Sequence, residues 1–461
     1  MKVIHSRIQH GVGQGSFHSA SVEVVEASGR RHRFDYVYDC GALAGGARTK
    51  ELTRSIKRLG LEPRVGNPKK AVIDLLVLSH FDKDHMNGAI DLVNKFEVDR
   101  IMLPYLTPKQ LALVIASQAN SITQDFVQQL HSLANGGGRF LGRPATMVQT
   151  GPRDRNNFVP DILNDFPNEP AEISREGPST SPDRLKLASF ADGAELGQTI
   201  SDLISLKVTG GAFPCLWKLR FWNRGQDTNL TELVKEKLTN IGFPVAALDD
   251  QVNGVKDIVG WLNFKQPKKP KGTSKSLIQK SNRDKALDAY HEAIKELNPT
   301  WEDEPEALGL ANFLSLGMYS GPGFTGEFGY RQLLWNTCDC NWRSFYFGYE
   351  VTGGWIGTGD APLGESAVWN DFQQHFQYEL PQIVTVLIPH HGAAPSTGPS
   401  YYNVGLNHVE CLNSVISYGK SNNYGHPKTS VLTQIMSTYS YPILVTEHTE
   451  LGFHEVCTFP A

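Results

Sequence analysis

The densest run of chemically capable residues in this chain is Ser79-His80-Phe81-Asp82-Lys83-Asp84-His85-Met86-Asn87-Gly88. Two imidazoles and two carboxylates fall between His80 and His85. On a loop, alternate side chains can turn toward one point, and mixed nitrogen and oxygen donors suit divalent cations. Such a set can hold two cations a few ångströms apart. Paired cations activate water and absorb the charge of an in-line displacement, so the chemistry indicated is hydrolysis. By composition alone, H-x-D-x-D-H would arise in a chain this long with odds on the order of one in a thousand, so a chance cluster of surface charge explains it poorly.

Three later segments fit the same site. Gly357-Thr358-Gly359-Asp360 follows the apolar Trp355-Ile356, and an acid at a strand end can bridge two metals through its two oxygens. Pro389-His390-His391-Gly392 follows the apolar run IVTVLI, and Tyr424-Gly425-His426-Pro427 follows a third β-like run. A single buried histidine is more often a satisfied core residue than a ligand. Repetition distinguishes these three: each segment sits just past a predicted strand end, where α/β folds assemble their sites. Two other motifs carry less. Gly11–Gly15 lacks the Lys-Ser/Thr of a phosphate-binding loop and reads as a tight turn between strands. Cys338-Asp-Cys340 has metal-ligand spacing but no second Cys/His pair nearby.

The elements that must position these residues are legible in part. Lys2–Gln9, Ser21–Val25 and Arg33–Tyr38 are predicted strands, and Thr49–Leu59 a helix. Ala71–Leu78 (AVIDLLVL) reads as one buried strand delivering His80 to its C-terminal end. Asn87–Phe96 is a predicted helix and Val98–Leu103 the next strand. From about Thr107 to Gly309 the strand signal mostly disappears, apart from Pro214–Trp222. Helices are expected at Lys109–Leu133, Leu230–Ile241 and Arg283–Leu297, and Gly151–Pro182 reads as an irregular connection. The stretch 265–285 carries eight basic residues and one acid, either a solvated loop or a nucleic-acid contact through Lys268, Lys269, Lys271 and Lys275. The α/β pattern then returns, with strands at Phe313–Tyr319, Arg343–Tyr349, Trp355–Gly357, Ile383–Ile388, Ser414–Ser417 and Tyr441–Thr446, and a helix at Ser430–Ser437. The chain therefore divides into 1–106, an inserted and mostly helical 107–309 expected to pack beside the site, and 310–461.

Composition sets outer bounds. The chain has 461 residues, 40% hydrophobic and 20% charged, in the ordinary globular range. A net charge of −4 gives no global field for nucleic acid, so any such contact must be local. The N-terminus lacks the apolar core of a secretion signal, and no run is long enough to span a membrane. Six scattered cysteines form no disulfide framework, and a cytoplasmic location is expected.

The order Val12-Gly13-Gln14-Gly15, Asp39-x-Gly41, SHFDKDHMNG, TGD, PHHG and GKSNNYGHP resembles the hydrolase domain of the ComEC competence protein, within the metallo-β-lactamase superfamily. Asn312 and Ser315 also resemble that family's N-x-x-S. The resemblance covers about residues 1–105 and 310–445. It implies an αββα sandwich, two divalent metals (Zn²⁺ or Mn²⁺) and phosphodiester hydrolysis. Asp82 stands where most of the superfamily has His and the ComEC-like branch has Asp, which shifts preference toward Mn²⁺. Carried over, His80, Asp82 and one of His390 or His391 hold one metal; Asp84, His85 and His426 hold the other. Asp360 bridges them, and Asp39 supports the loop. Whichever of His390 and His391 is not a ligand would protonate the leaving oxygen or bind phosphate. The substrate implied is nucleic acid, with a small phosphodiester or another ester as the alternative. A non-catalytic sensor or scaffold with protein partners in a bacterial antiviral defence assembly is a third reading. The chain departs from the family in lacking a membrane channel and in carrying the 107–309 insertion.

Overall fold

Two large β-sheets form the frame on which the candidate site is hung, and their strands are ordered by long-range pairing rather than by sequence neighbours. The computed structural model describes residues 2–43, 46–64, 67–151, 183–189, 197–210, 213–224, 228–264, 280–297, 314–323, 330–336, 342–348, 353–393, 413–420, 422–423, 425–437, 440–449 and 452–460. The expected irregular connection from 152 on, most of the basic stretch with Lys268, Lys269, Lys271 and Lys275, the Cys338/Cys340 pair and Asn312 lie outside the described residues.

The path through the first sheet runs Thr199–Ser201, Arg143–Gln149, Ile101–Pro104, Leu75–Val77, Arg31–Cys40, Phe17–Val25, Lys2–Gln9, Phe453–Pro460, Tyr330–Asn336 and Trp342–Gly348. Its centre is parallel: Tyr36 pairs with Leu75, and Leu76 with Ile101. The second sheet runs Lys186–Ser189, Ser205–Gly210, Phe213–Asn223, Leu316–Pro322, Gly354–Gly357, Ile383–Leu387, Asn413–Ser417 and Tyr441–Val445. Its last four strands are parallel. One buried cluster takes Val22, Tyr36, Val77 and Phe459 from the first sheet and Trp217, Leu219, Met318 and Trp355 from the second, so the two sheets pack face to face. A second cluster joins Tyr319, Ile356 and Val386 to Trp369 and Phe372 of the helix Ser366–His375 and to Val431 and Ile435 of Thr429–Ser437. Both helices therefore cover the outer face of the second sheet. The architecture is mixed α/β with several sheets.

The run 71–78 is not one strand. Asn67–Ile73 pairs with Glu97–Val98 in a small sheet, and Leu75–Val77 enters the large one. Asp74 breaks the run: its side chain accepts from the Asp35 amide at 2.6 Å and pairs with Arg184.

The middle of the chain corrects the expectation of a single helical insertion over 107–309. The chain separates into two compact units, one of 1–104, 146–224 and 315–461, the other of 105–145 and 225–314. Residues 146–224 supply strands to both sheets. Apart from Phe213–Asn223, which its alternation reveals, their strands are short and polar, as in Thr199–Ser201 and Lys186–Ser189, which hides them from a periodicity reading. The second unit is helical, with Pro108–Ser117, Gln124–Ala134, Thr228–Asn240, Gly254–Leu262 and Asn282–Leu297. The predicted helix over 109–133 is two helices, the first opened by a capping box from Thr107 to Gln110 and the second capped by Thr123. No helix among the described residues is long and apolar enough to cross a membrane.

Candidate metal centre

Every expected ligand follows a strand end, and the carboxylate behind them, Asp39, is the penultimate residue of a strand. Arg31–Cys40 carries Asp39, Leu75–Val77 leads to Ser79 through His85, Gly354–Gly357 leads to Asp360, Ile383–Leu387 leads to His390 and His391, and Asn413–Ser417 leads toward His426. Parallel strands align these ends on one side of their sheets, so residues far apart in sequence meet.

The metal loop is fixed from beneath by one carboxylate. Asp39 is fully buried and adopts φ 58°, a left-handed conformation unusual outside glycine. Its Oδ1 accepts the Ser79 amide at 2.7 Å, and its Oδ2 accepts the Ser79 hydroxyl at 2.8 Å. Oδ2 also accepts His85 Nδ1–H at 2.8 Å. The Ser79 hydroxyl has then used its only proton, so at 2.9 Å it accepts from His80 Nδ1–H. Asp39 thereby sets both imidazoles in the tautomer whose Nε2 lone pair faces the centre. Gly41 allows this approach, because a Cβ there would lie 2.5 Å from the Asp84 carbonyl carbon and the His85 nitrogen. The loop containing Gln14 and Gly15 clasps the same region: Ser16 N donates to Asp84 O at 2.9 Å, and Ser417 Oγ to Gly15 O at 2.8 Å.

Five of the expected ligands come together. One group is His80, Asp84 and His85; another is His85, Asp360 and His391, with donor atoms within 4.8 Å of one another in each. His85 Nε2 lies 3.1 Å from Asp360 Oδ1, and His80 Nε2 lies 3.6 Å from Asp360 Oδ2. His391 Nε2 is 3.3 Å from Asp84 Oδ2, while its Nδ1–H donates to the Ser417 carbonyl at 2.7 Å. His391 is thus turned with Nε2 inward, as a ligand must be. Asp82, His390 and His426 flank these groups. Asp82 Oδ2 is 3.8 Å from His80 Nε2, His390 Nε2 is 3.9 Å from Asp360 Oδ2, and the His390 and His426 rings are 5.7 Å apart. Positive φ at both His390 and His391 (48° and 54°) fans the adjacent rings apart.

The residues fit a divalent cation. His80 Nε2 is buried without a hydrogen bond, and His85 Nε2 and Asp360 Oδ1 are buried facing each other at 3.1 Å; a divalent cation would give all three atoms a charged partner. The electrostatics agree. Burial opposes the Asp360 charge, yet His85, His390 and His80 hold its carboxyl well below the usual range. Burial likewise opposes a charge on His85, but Asp360 and Asp39 raise its pKa. His80 is pushed down to about 4 by burial and by His85, and His426 to about 3 by burial and the rings of His390 and His391. Buried carboxylates and imidazoles in one place make a nitrogen and oxygen donor set typical of Zn²⁺ or Mn²⁺, and a bound cation would take the place of the proton that the carboxylates favour on His85 and His391.

Sequence reasoning missed Ser79 as the relay between Asp39 and His80, and the Ser417 carbonyl as the partner of His391. Ser79 directly precedes the ligand string and offered a signal; a backbone carbonyl 26 residues away offered none. Compared with known protein families and with curated proteins, the chain matches neither a family model nor a curated protein.

Proposed function

We propose that this chain is a two-metal hydrolase of phosphodiester bonds, built on a ComEC-like metallo-β-lactamase αββα sandwich. The observation that carries the reading is the convergence of His80, Asp84, His85, Asp360 and His391 from separate strand ends; His85 Nδ1 is held by Asp39, so its one free nitrogen would serve one cation and the carboxylates would help complete the other site. Two face-packed sheets with helices outside the second support the sandwich. Divalent cations held by these residues, with Asp82 and His426 at the flanks, supply Lewis acidity toward a phosphoryl oxygen and acidify water. The protein's own part is positional. Asp39 and Ser79 lock the imidazole tautomers, Asp360 faces His85 with one oxygen and His80 with the other, and burial keeps competing water from the donors. His390, 13% exposed and outside both groups, is the residue that hydrogen-bonds the phosphate or the leaving oxygen, while His391 takes the ligand role.

The test is hydrolysis of bis-nitrophenyl phosphate and of single-stranded DNA by chelator-treated protein. Activity should vanish with the chelator and return with Mn²⁺ or Zn²⁺. Asp84→Ala and Asp360→Asn should each remove it while unfolding stays cooperative, because Asp84 is only part-buried and asparagine keeps the shape of the buried Asp360 side chain. Full activity of either variant at saturating metal would falsify the assignment.

A further inference from the structure

We propose that the exposed face of the helix Gly46–Arg58 is a contact surface for the phosphate backbone of a nucleic-acid strand. The inference deepens the phosphodiesterase reading by naming the substrate class, and rests on it for its meaning. The contact itself is a binding property that can be measured without catalysis.

The helix concentrates charge that the whole chain lacks. It carries Arg48, Lys50, Arg54, Lys57 and Arg58 against one acid, Glu51, in a protein of net charge −4. Lys50, Arg54 and Lys57 stand at i, i+4 and i+7, hence on one face; Arg54 also holds the Glu51 carboxylate at 2.7 Å, an exposed pair that a phosphate would have to displace or join. With Thr53 they line a shallow cleft. The opposite face is committed to the core, where Leu52 and Ile56 are buried. From Lys50 onward, the exposed positions are Lys50, Thr53, Arg54, Lys57 and Arg58. None offers the apolar wedge that a helix on a lipid surface inserts.

A neighbouring helix adds to the same charge. Lys95, at the end of Ala89–Lys95, donates to the Ile56 carbonyl at 3.0 Å. Its pKa is lowered first by burial and then by Lys57. Ammonium groups held close enough to repel make a surface that an anion stabilises.

The surface is attached to the candidate centre. A Cβ on Gly88 would meet Leu52 Cδ2 at 3.1 Å, and Asn87 both accepts from Ala42 N and donates to Ala42 O. Asn87 and Gly88 end the loop that begins with His80, and that loop bears the exposed Lys83. Lys50 to Lys57 spans roughly 10 Å at the helical rise, within reach of two or three adjacent phosphates of one strand once the long side chains are extended.

The experiment is anisotropy of a labelled single-stranded oligonucleotide between 50 and 200 mM salt, with chelator present so that nothing is cleaved. The K50A/R54A/K57A variant should bind about a hundredfold more weakly near 0.1 M, with a salt slope smaller by about two units, since three lost contacts each contribute about 0.7. K50R/K57R, which keeps the charge, should bind like the parent. Circular dichroism checks that both variants fold. Unchanged affinity and slope in the triple variant, or binding of phosphatidylserine vesicles in place of the oligonucleotide, overturns the proposal. If the triple variant loses oligonucleotide binding while the parent hydrolyses no phosphodiester, the surface stands and the catalytic reading falls.

Discussion

Asp39 is the residue on which the centre turns. It is held at a left-handed φ, which costs a non-glycine residue about 1 kcal/mol or more, and the return is a carboxylate that orients two imidazoles. His85 is reached directly and His80 through the Ser79 hydroxyl. Ser79→Ala should therefore weaken metal binding by about 10- to 100-fold, the usual effect of losing a partner behind a ligand. Ser79→Thr, which keeps the hydroxyl, should restore it. Titration calorimetry with Mn²⁺ or Zn²⁺ reads this directly; equal affinity in the alanine variant would mean that the hydroxyl does not set the His80 tautomer. At this scale the sequence was informative where donors are contiguous, as in His80 to His85, because a loop this short can present them only to a shared space. It was uninformative between His390 and His391. Their order says nothing about which ring turns inward; two positive φ values and a carbonyl from a neighbouring strand decide that.

Among the elements, the strand Lys2–Gln9 shows how a correct boundary can hide the wrong face. Its length is as predicted, but Val3, His5, Arg7 and Gln9 are the buried positions, while Ile4 and Ile8 are only half-buried. Hydrophobicity alone would orient it the other way. Arg7 is tolerated because Glu455, from the last strand, pairs with it, and Thr385 donates to the same carboxylate at 2.7 Å. That strand, Phe453–Pro460, gave no sequence signal of its role, since its partner lies at the opposite chain end. Glu455→Ala should leave a buried, uncompensated guanidinium and cost about 3–5 kcal/mol, seen as a lower urea midpoint. The same strands predict acid sensitivity. His10, beside Phe17 and hydrogen-bonded to Ser19 at 2.8 Å, is pushed down to about 3 by burial and by His454. His5 and His18 are lowered too, first by burial and then by Arg7. A histidine kept neutral in the fold protonates in the unfolded chain first. Its stabilisation is complete above about pH 6.5 and is lost as pH falls toward 3, by roughly 1.4 kcal/mol per pH unit for each such group. Urea midpoints should drop steadily from pH 7 to 5, and His10→Gln should flatten that slope; a slope unchanged in the variant would place the titrating group elsewhere.

At the scale of the whole molecule, the chain leaves the sheet unit for the helical unit twice and returns each time, and each unit carries its own core. The sheet unit takes three chain segments, 1–104, 146–224 and 315–461. In the helical unit, Leu111 and Ile115 of Pro108–Ser117, Leu230, Val234 and Leu238 of Thr228–Asn240, and Ala289, Tyr290 and Ile294 of Asn282–Leu297 are all buried. Thr228–Asn240 and Asn282–Leu297 were legible because each is long enough to show a 3.6-residue period, whereas the nine-residue Gly254–Leu262 was not. Strands of three to seven residues across 143–210 were not. Every candidate metal ligand belongs to the sheet unit. A cation that binds only the native state stabilises what it binds, by about 2.7 kcal/mol at a hundredfold excess over its dissociation constant. Scanning calorimetry should then resolve two transitions. Mn²⁺ or Zn²⁺ should raise one by several degrees, and Asp360→Asn should abolish that rise while leaving the other transition where it was. A single transition, or two that rise together with metal, would mean that the helical unit unfolds only as part of the sheet unit and that its own core does not suffice to hold it.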